Sequence, residues 1–210
     1  MKQHKFFERF LDNDLDALAK ELNIRYGMIE RAEIEGVTPI GNNESWIESG
    51  SVSTTKWKQY NVFQFHIDGI RKLYNSISDM TKEACQYYDI DFNSQQYMLQ
   101  GWFNINYSQV GKLGWHDHGG PEDFAPYFHG FYCVSAEPSS TFYQIHRDPN
   151  NVFENINKNN RAILSEMGHP HSMGGWNWDC PRITIAYDII PFERIKMSPI
   201  DEEQHWIPLA

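Results

Sequence analysis

The sequence predicts a mainly β fold of the α+β class, in which helices of the N-terminal half support an antiparallel sandwich or barrel. Near Gln96 the spacing of apolar residues changes from the 3.6-residue period of a helix to the two-residue period of a strand. Beyond that point, short strand-like runs follow one another between Gly and Pro clusters, a pattern typical of antiparallel β structure. No helical stretch separates these runs, which argues against a parallel sheet.

We expect the 210 residues to form one domain, because a chain of this length can bury a sizeable core. Residues 1–95 are predicted to be a helical and loop-rich part that packs on the barrel. Residues 96–190 are predicted to form the barrel itself, and residues 191–210 an irregular tail with several Pro and acidic side chains.

Two apolar stripes predict two helices in the N-terminal part. The first stripe repeats at three and four residues over residues 7–22, and the second runs from Ile70 to Tyr88. Residues 35–55 are rich in Gly, Asn, Ser and Thr and are predicted to be a loop. Residues 57–67 have mixed β character.

Five runs in the barrel region have strand character. They are residues 102–107, 128–134, 140–145, 161–164 and 182–190. The polar segment 146–160 contains six Asn and is predicted to be a surface loop.

Composition narrows the class of protein. The formal net charge of −10 disfavours general binding to nucleic acid, because an acidic protein repels phosphate in bulk. Three cysteines, Cys85, Cys133 and Cys180, are odd in number and widely spaced, which favours a reducing, cytoplasmic compartment over a disulfide framework. The charged start lacks the apolar core of a signal peptide, and no apolar run has the length of a membrane span.

A histidine pattern predicts a metal site. His116 and His118 are two residues apart, so on an extended strand they point to the same face while Asp117 points away. A second pair, His169 and His171, lies far enough along the chain for several strands to intervene. Imidazole is a good ligand for iron, copper, zinc and nickel, and only one member of the second pair is needed to complete a three-ligand site.

An anion clamp is predicted beside the metal. Arg182 follows His171 by eleven residues and shares one strand face with Thr184 and, further along, Asp188. A guanidinium binds a carboxylate through two parallel hydrogen bonds. Its partner is either a protein carboxylate such as Asp188, giving a structural pair, or the carboxylate of a small keto acid held by the metal.

These motifs together resemble the 2-oxoglutarate/Fe(II)-dependent oxygenases, in particular a small bacterial and phage group with an HxH…H…R pattern. The resemblance covers roughly residues 98–190. It is carried by the segments Trp102-Phe103-Asn104, His116-x-His118, His129-Gly130-Phe131-Tyr132, Pro170-His171-Ser172-Met173 and Pro181-Arg182-Ile183-Thr184-Ile185-Ala186-Tyr187.

The resemblance implies a double-stranded β-helix, a jelly-roll or cupin-like barrel, with Fe(II) at its open end. It also implies O2 and 2-oxoglutarate as cosubstrates and a small-molecule or peptide substrate that the sequence does not specify. In this arrangement His116 and His171 are the two histidine ligands of the metal, and Arg182, Thr184, Asn104 and Tyr132 bind 2-oxoglutarate. The residues assigned to the substrate pocket are Trp102, Trp115, His129 and His169.

One departure from the family pattern leaves alternatives open. Most of these oxygenases have His-x-Asp or His-x-Glu, with the carboxylate as third ligand, whereas here that position is His118. The third ligand is therefore His118 or, after a local twist of the chain, Asp117. A cupin-like three-His enzyme that does not use 2-oxoglutarate, and a non-catalytic β-barrel binding module, are the two other hypotheses. The oligomeric state is not indicated.

Overall fold

The computed structural model describes residues 3–34, 60–106, 114–118, 128–166, 168–196 and 205–210. The predicted loop over residues 35–55 lies outside the described residues. Within them, the strands are β1 (Phe7–Phe10), β2 (Tyr97–Asn106), β3 (Phe128–Ser135), β4 (Ser140–Gln144), β5 (Val152–Ile156), β6 (Arg161–Glu166), β7 (His171–Met173), β8 (Arg182–Pro191) and β9 (Ile207–Pro208). The α-helices are α1 (Leu15–Ile34), α2 (Ile70–Tyr87) and α3 (Phe192–Ile195), and single 3₁₀ turns cover Val62–Gln64, Phe92–Ser94 and Ile145–Arg147.

The strands form two antiparallel sheets. The larger sheet has the order β1-β6-β3-β8-β2-β9, and the smaller has the order β5-β4-β7. The smaller sheet is extended at β7 by a bridge to the HxH segment. In that bridge the backbone N–H of His116 donates to His171 O at 3.0 Å, and the N–H of His171 donates to His116 O at 2.8 Å. The predicted mainly β fold is confirmed.

One face of the larger sheet is covered by helices. The second predicted helix is confirmed as α2, and Leu73 and Ile77 of its apolar stripe are fully buried. This helix lies against β1 and β6, and α1 lies against β3. Because side chains alternate along a strand, the even-numbered residues of β8 and the odd-numbered residues of β3 face the other way, toward the interior between the sheets.

The first predicted helix starts too early. Residues 7–10 form β1, which pairs with β6, and the burial of Phe7 next to the exposure of Phe10 fits an edge strand. The helix begins only after Asp14, whose Oδ1 accepts the backbone N–H of Ala17 at 3.1 Å as a helix cap. The apolar spacing over residues 7–22 therefore joined two different elements.

Two other segments predicted to be irregular contain regular structure. The segment 146–160 includes β5, an exposed edge strand paired with β4 along its whole length. The tail after Pro191 includes α3 and β9, and β9 pairs with β2 and places Leu209 in the core. Both are short elements whose polar or Pro-containing sequences are stabilised by pairing with a neighbouring strand. No helix among the described residues combines the length and apolar character needed to span a membrane.

Gly130 in β3 has no side chain and so allows close contact with Ile163 and Tyr187. We therefore expect Gly130→Ala to destabilise the protein. An added Cβ would lie 2.1 Å from the backbone oxygen of Ile163 and 2.5 Å from the Tyr187 ring. Overpacking a core typically costs about 1–3 kcal/mol, and a clash with backbone places this change at the upper end.

Chemical denaturation of the variant measures that loss. The matched control is Gly27→Ala in α1, where a Cβ meets nothing within 4 Å and the helix should gain stability, by up to about 1 kcal/mol, from the better helix former. Equal stability of the Gly130 variant and the parent would contradict the packing of β3 described here.

Candidate metal centre

Three imidazoles converge where the HxH segment meets β7. His116, His118 and His171 each offer one ring nitrogen within 4.8 Å of the others. The ring centroids of His116 and His171 are 4.3 Å apart, and those of His118 and His171 are 5.0 Å apart. The backbone bridge between His116 and His171 brings the two segments together. The structure thus places all three predicted histidines in one cluster that can hold a metal ion.

The Nδ1 atom of each of these rings lies near an oxygen acceptor. Nδ1 of His116 contacts Gly114 O at 3.0 Å, and Nδ1 of His118 contacts the Asp188 carboxylate at 2.9 and 3.0 Å. Nδ1 of His171 lies 3.5 Å from His169 O, at the limit of a hydrogen bond. Carbonyl and carboxylate oxygens only accept, so each Nδ1 carries a proton and Nε2 of each neutral ring has a lone pair.

Burial disfavours the charged form of two of the three rings. It lowers the pKa of His116 to about 4, and it lowers that of His171 well below the ordinary value, in both cases assisted by the neighbouring imidazoles. Neutral imidazole is the form that binds a metal, so two of the three rings are in the binding form at neutral pH. Three neutral nitrogen donors fit a divalent ion of the iron-to-zinc group.

Asp117 points away from the cluster. Its carboxylate forms an ion pair with Arg147, at 2.9 Å between Oδ2 and Nη2. This orientation agrees with the alternation expected for a residue between two ligands on an extended segment. The structure therefore brings His118, and not Asp117, together with His116 and His171.

Asp188 on β8 is the carboxylate that lies beside the histidines. It is 7% exposed and also accepts from Nδ1 of His129, directly opposite on β3, at 2.8 Å. Burial alone would raise the pKa of Asp188, but its contacts with His118 and His129 outweigh burial and hold the pKa well below the usual range. Burial lowers the pKa of His129, so that ring too is neutral at pH 7.

Arg182 lies on the same interior face of β8, at its opposite end. The side chain is buried, and its Nε donates to Ser139 Oγ at 3.2 Å. Among the described residues no carboxylate pairs with it, and Asp188 is engaged by the two histidines instead. Burial lowers the pKa of Arg182 to about 10, so the guanidinium is still charged at neutral pH. The anticipated structural pair between Arg182 and Asp188 is therefore absent here.

Two of the other predicted cosubstrate residues share that face, and one does not. Asn104 on β2 is paired with Thr184, and its Nδ2 donates to Thr184 Oγ1 at 3.4 Å. Tyr132 lies on the opposite face of β3 from His129. Its hydroxyl donates to Asn160 Oδ1 at 2.5 Å and accepts from Asn13 Nδ2 at 3.0 Å, outside the barrel. The structure does not bring Tyr132 to the site.

Only some of the residues predicted to line the substrate pocket lie at the site. Trp102 is buried on the interior face, with its ring 5.4 Å from that of His118. Trp115 precedes His116 and is 40% exposed. His129 is within the site, whereas His169 belongs to a separate cluster.

The separate cluster contains His4, Glu166 and His169, whose ligand atoms also lie within 4.8 Å of one another. Nδ1 of His169 accepts the backbone N–H of His146 at 3.0 Å, which places the ring proton on Nε2. That Nε2–H then donates to Nδ1 of His4 at 2.9 Å. With this tautomer His169 directs no lone pair at the other two members, and hydrogen bonds link it to His4 and to the backbone of His146.

The role of Asp188 was missed in the sequence, although its place on the Arg182 face was noted. The available signal was a carboxylate among the apolar residues that follow Thr184, in a strand whose residues are all buried in the structure. Such a carboxylate needs donors, and uncharged histidine N–H groups are suitable. Which histidines supply them depends on strand pairing.

Comparisons with known proteins show which architecture this chain shares with solved structures. No protein-family model matches the chain, and no curated protein matches it either. Among solved structures, AviO1 from Streptomyces viridochromogenes is 12% identical with a TM-score of 0.53, covering 89% of this chain and 90% of its own.

Two further structures are similar to the same degree. A prolyl-4-hydroxylase from Pseudomonas putida is 10% identical with a TM-score of 0.51, covering 89% of this chain and 92% of its own. The α-ketoglutarate-dependent epimerase SnoN from nogalamycin biosynthesis is 11% identical with a TM-score of 0.52, covering 88% and 76%. At these identities the likeness concerns architecture, and it confirms the double-stranded β-helix.

Proposed function

We propose that this protein is an Fe(II)- and 2-oxoglutarate-dependent oxygenase acting on a small-molecule or peptide substrate. The observation that carries the proposal is the convergence of three histidines, His116, His118 and His171, at the end of an interior face that also holds the buried Arg182. A metal with open positions on this face, together with a buried cation that has no acidic partner among the described residues, suits a keto acid bound at both ends.

Each side chain has a role that follows from its contacts. The three Nε2 lone pairs would hold Fe(II), since their Nδ1 protons face oxygen acceptors. Arg182 would bind the distal carboxylate of 2-oxoglutarate with its two Nη groups, because Ser139 occupies only Nε. Thr184 and Asn104 would contact the same molecule. Bound Fe(II) supplies the activation of O2 that such oxidations require.

The interior of the barrel would limit access of water to this chemistry. Trp102 is 5% exposed and lies against the ring of His118, so one side of the centre is apolar. A dry, preorganised site strengthens the charge-assisted hydrogen bonds between Arg182 and a carboxylate.

A second candidate function is favoured by one observation. The third ligand is an imidazole, and not the carboxylate of the His-x-Asp pattern, which also suits a cupin-like three-His enzyme that binds its substrate directly to the metal. In that case Arg182 would bind the substrate or serve the structure.

Anaerobic titration distinguishes the proposed oxygenase from the three-His alternative. Fe(II) added to the protein should bind one per chain, and 2-oxoglutarate added next should produce the weak visible charge-transfer band of its iron chelate. Succinate formation in air should depend on both. Iron binding without a band or 2-oxoglutarate binding would favour the three-His alternative, and no metal binding at all would favour a non-catalytic module.

A further inference from the structure

Asp188 is the buried carboxylate in contact with the proposed metal ligands. It lies at the end of the interior face of β8, and its oxygens lie 2.9 and 3.0 Å from Nδ1 of His118 and 2.8 Å from Nδ1 of His129. Neither Lys nor Arg pairs with it in the part of the chain that the structure describes. Within the described residues, the carboxylate therefore contacts two imidazoles.

The proton positions in this group follow from the acceptor. A carboxylate that accepts from both rings requires Nδ1–H on His118 and on His129, which leaves Nε2 of each with a lone pair. For His118 that lone pair is the one offered to the metal. The contact to Asp188 thus sets both the tautomer of His118 and the orientation of its ring.

The charge of the site depends on this contact. Three neutral imidazoles bring no negative charge to a divalent ion, whereas the His-x-Asp pattern places one carboxylate directly on it. We propose, on the basis of the proposed function, that Asp188 is a positioning residue that supplies this missing negative charge through His118. A hydrogen-bonded carboxylate makes the imidazole a stronger donor to a metal.

His129 fixes the carboxylate in place. It lies directly opposite Asp188 in the pairing of β3 with β8, and its ring centroid is 4.2 Å from that of His118. With His129 donating to Oδ1, which also accepts from His118, the carboxylate plane is held by two donors on different segments. The charge is therefore preorganised before any metal binds.

Co(II) and Mn(II) affinities of the full-length chain test the proposal by calorimetry. Asp188→Asn keeps the size of the side chain and removes its charge, and it should weaken metal binding by about 10- to 100-fold. The matched control is Asp117→Asn, which removes a charge between the same two ligands but one that faces Arg147. The metal affinity of this control should change by less than about threefold, because solvent screens the charge that Asp117 loses.

Each outcome has a defined meaning. Parent-like affinity in Asp188→Asn, or an equal loss in both variants, would overturn the role of Asp188 and leave the proposed oxygenase intact. A parent protein that binds neither metal would overturn the proposed function together with this inference.

A second measurement needs no change at Asp188, in case that variant does not fold. In the Co(II)-loaded parent, proton NMR in water should show a paramagnetically shifted Nδ1–H resonance of His118. It should exchange slowly with solvent because the contact with Asp188 is buried, and it should be missing in His118→Ala. Absence of a slowly exchanging shifted resonance that depends on His118 would refute the contact on which the inference rests.

Discussion

His171→Ala should abolish metal binding while leaving the fold in place. The variant loses one of three nitrogen donors, so we expect affinity to fall by more than the roughly 100-fold upper range for an outer-shell partner. The backbone bridge between residues 171 and 116 uses only main-chain atoms and is retained in the variant. Metal analysis of the purified protein after dialysis, with circular dichroism for the fold, measures both effects.

His169→Ala is the matched control for that experiment. It removes the other histidine of the Gly-His-Pro-His segment, whose ring contacts His4 and the backbone of His146 and lies outside the metal cluster. Metal content should stay at the parent level in this variant. Full metal stoichiometry in His171→Ala, or loss of metal in His169→Ala, would contradict the assignment of the ligands.

Arg182→Lys should weaken 2-oxoglutarate binding by about 1.5–3 kcal/mol, the range for hydrogen bonds to charged groups. Lys keeps the positive charge but cannot form two parallel hydrogen bonds to one carboxylate. Arg182 is at the opposite end of the β8 face from Asp188, so metal content should not change. Calorimetric titration of the manganese-loaded protein with 2-oxoglutarate measures the loss.

Arg161→Lys provides a matched control for the clamp. Arg161 is also largely buried, but its guanidinium already binds Asn155 and Glu8 at the outer strands. The affinity of the Arg161→Lys variant for 2-oxoglutarate should equal that of the parent protein. Unchanged 2-oxoglutarate affinity in Arg182→Lys, or no binding of 2-oxoglutarate by the parent, would rule out the clamp at Arg182. Either result would favour the three-His alternative.

Local periodicity in the sequence predicted much of the fold and part of the candidate site. The stripe from Ile70 to Tyr88 predicted α2 almost to the residue, because a helix with one buried face repeats its apolar positions in the sequence. The two-residue spacing that places His116 beside His118, and Arg182 beside Thr184, is equally local. Those side-chain directions follow from the chain itself, without knowledge of what lies opposite.

Local patterns failed where two elements shared a period or where an element was very short. The apolar spacing over residues 7–22 joined β1 to α1, since nothing in it reveals that Asp14 caps the helix. β5 lies within an Asn-rich polar segment and β9 has only two residues, and the structure of both comes from pairing with β4 and β2. Strand pairing between distant segments is a property of the folded chain.

By itself, the sequence determined the strand character of the barrel region, and it predicted a candidate site that combines histidines with a guanidinium while leaving His118 and Asp117 as alternatives. Only the tertiary structure decided which groups meet. It selected His171 over His169 for the metal cluster, turned Tyr132 outward to Asn13, and paired Asp188 with histidines in place of Arg182. The reason is physical: alternation sets the face on which a side chain lies, but the register between strands sets its partner, and that register is fixed by contacts across the whole sheet.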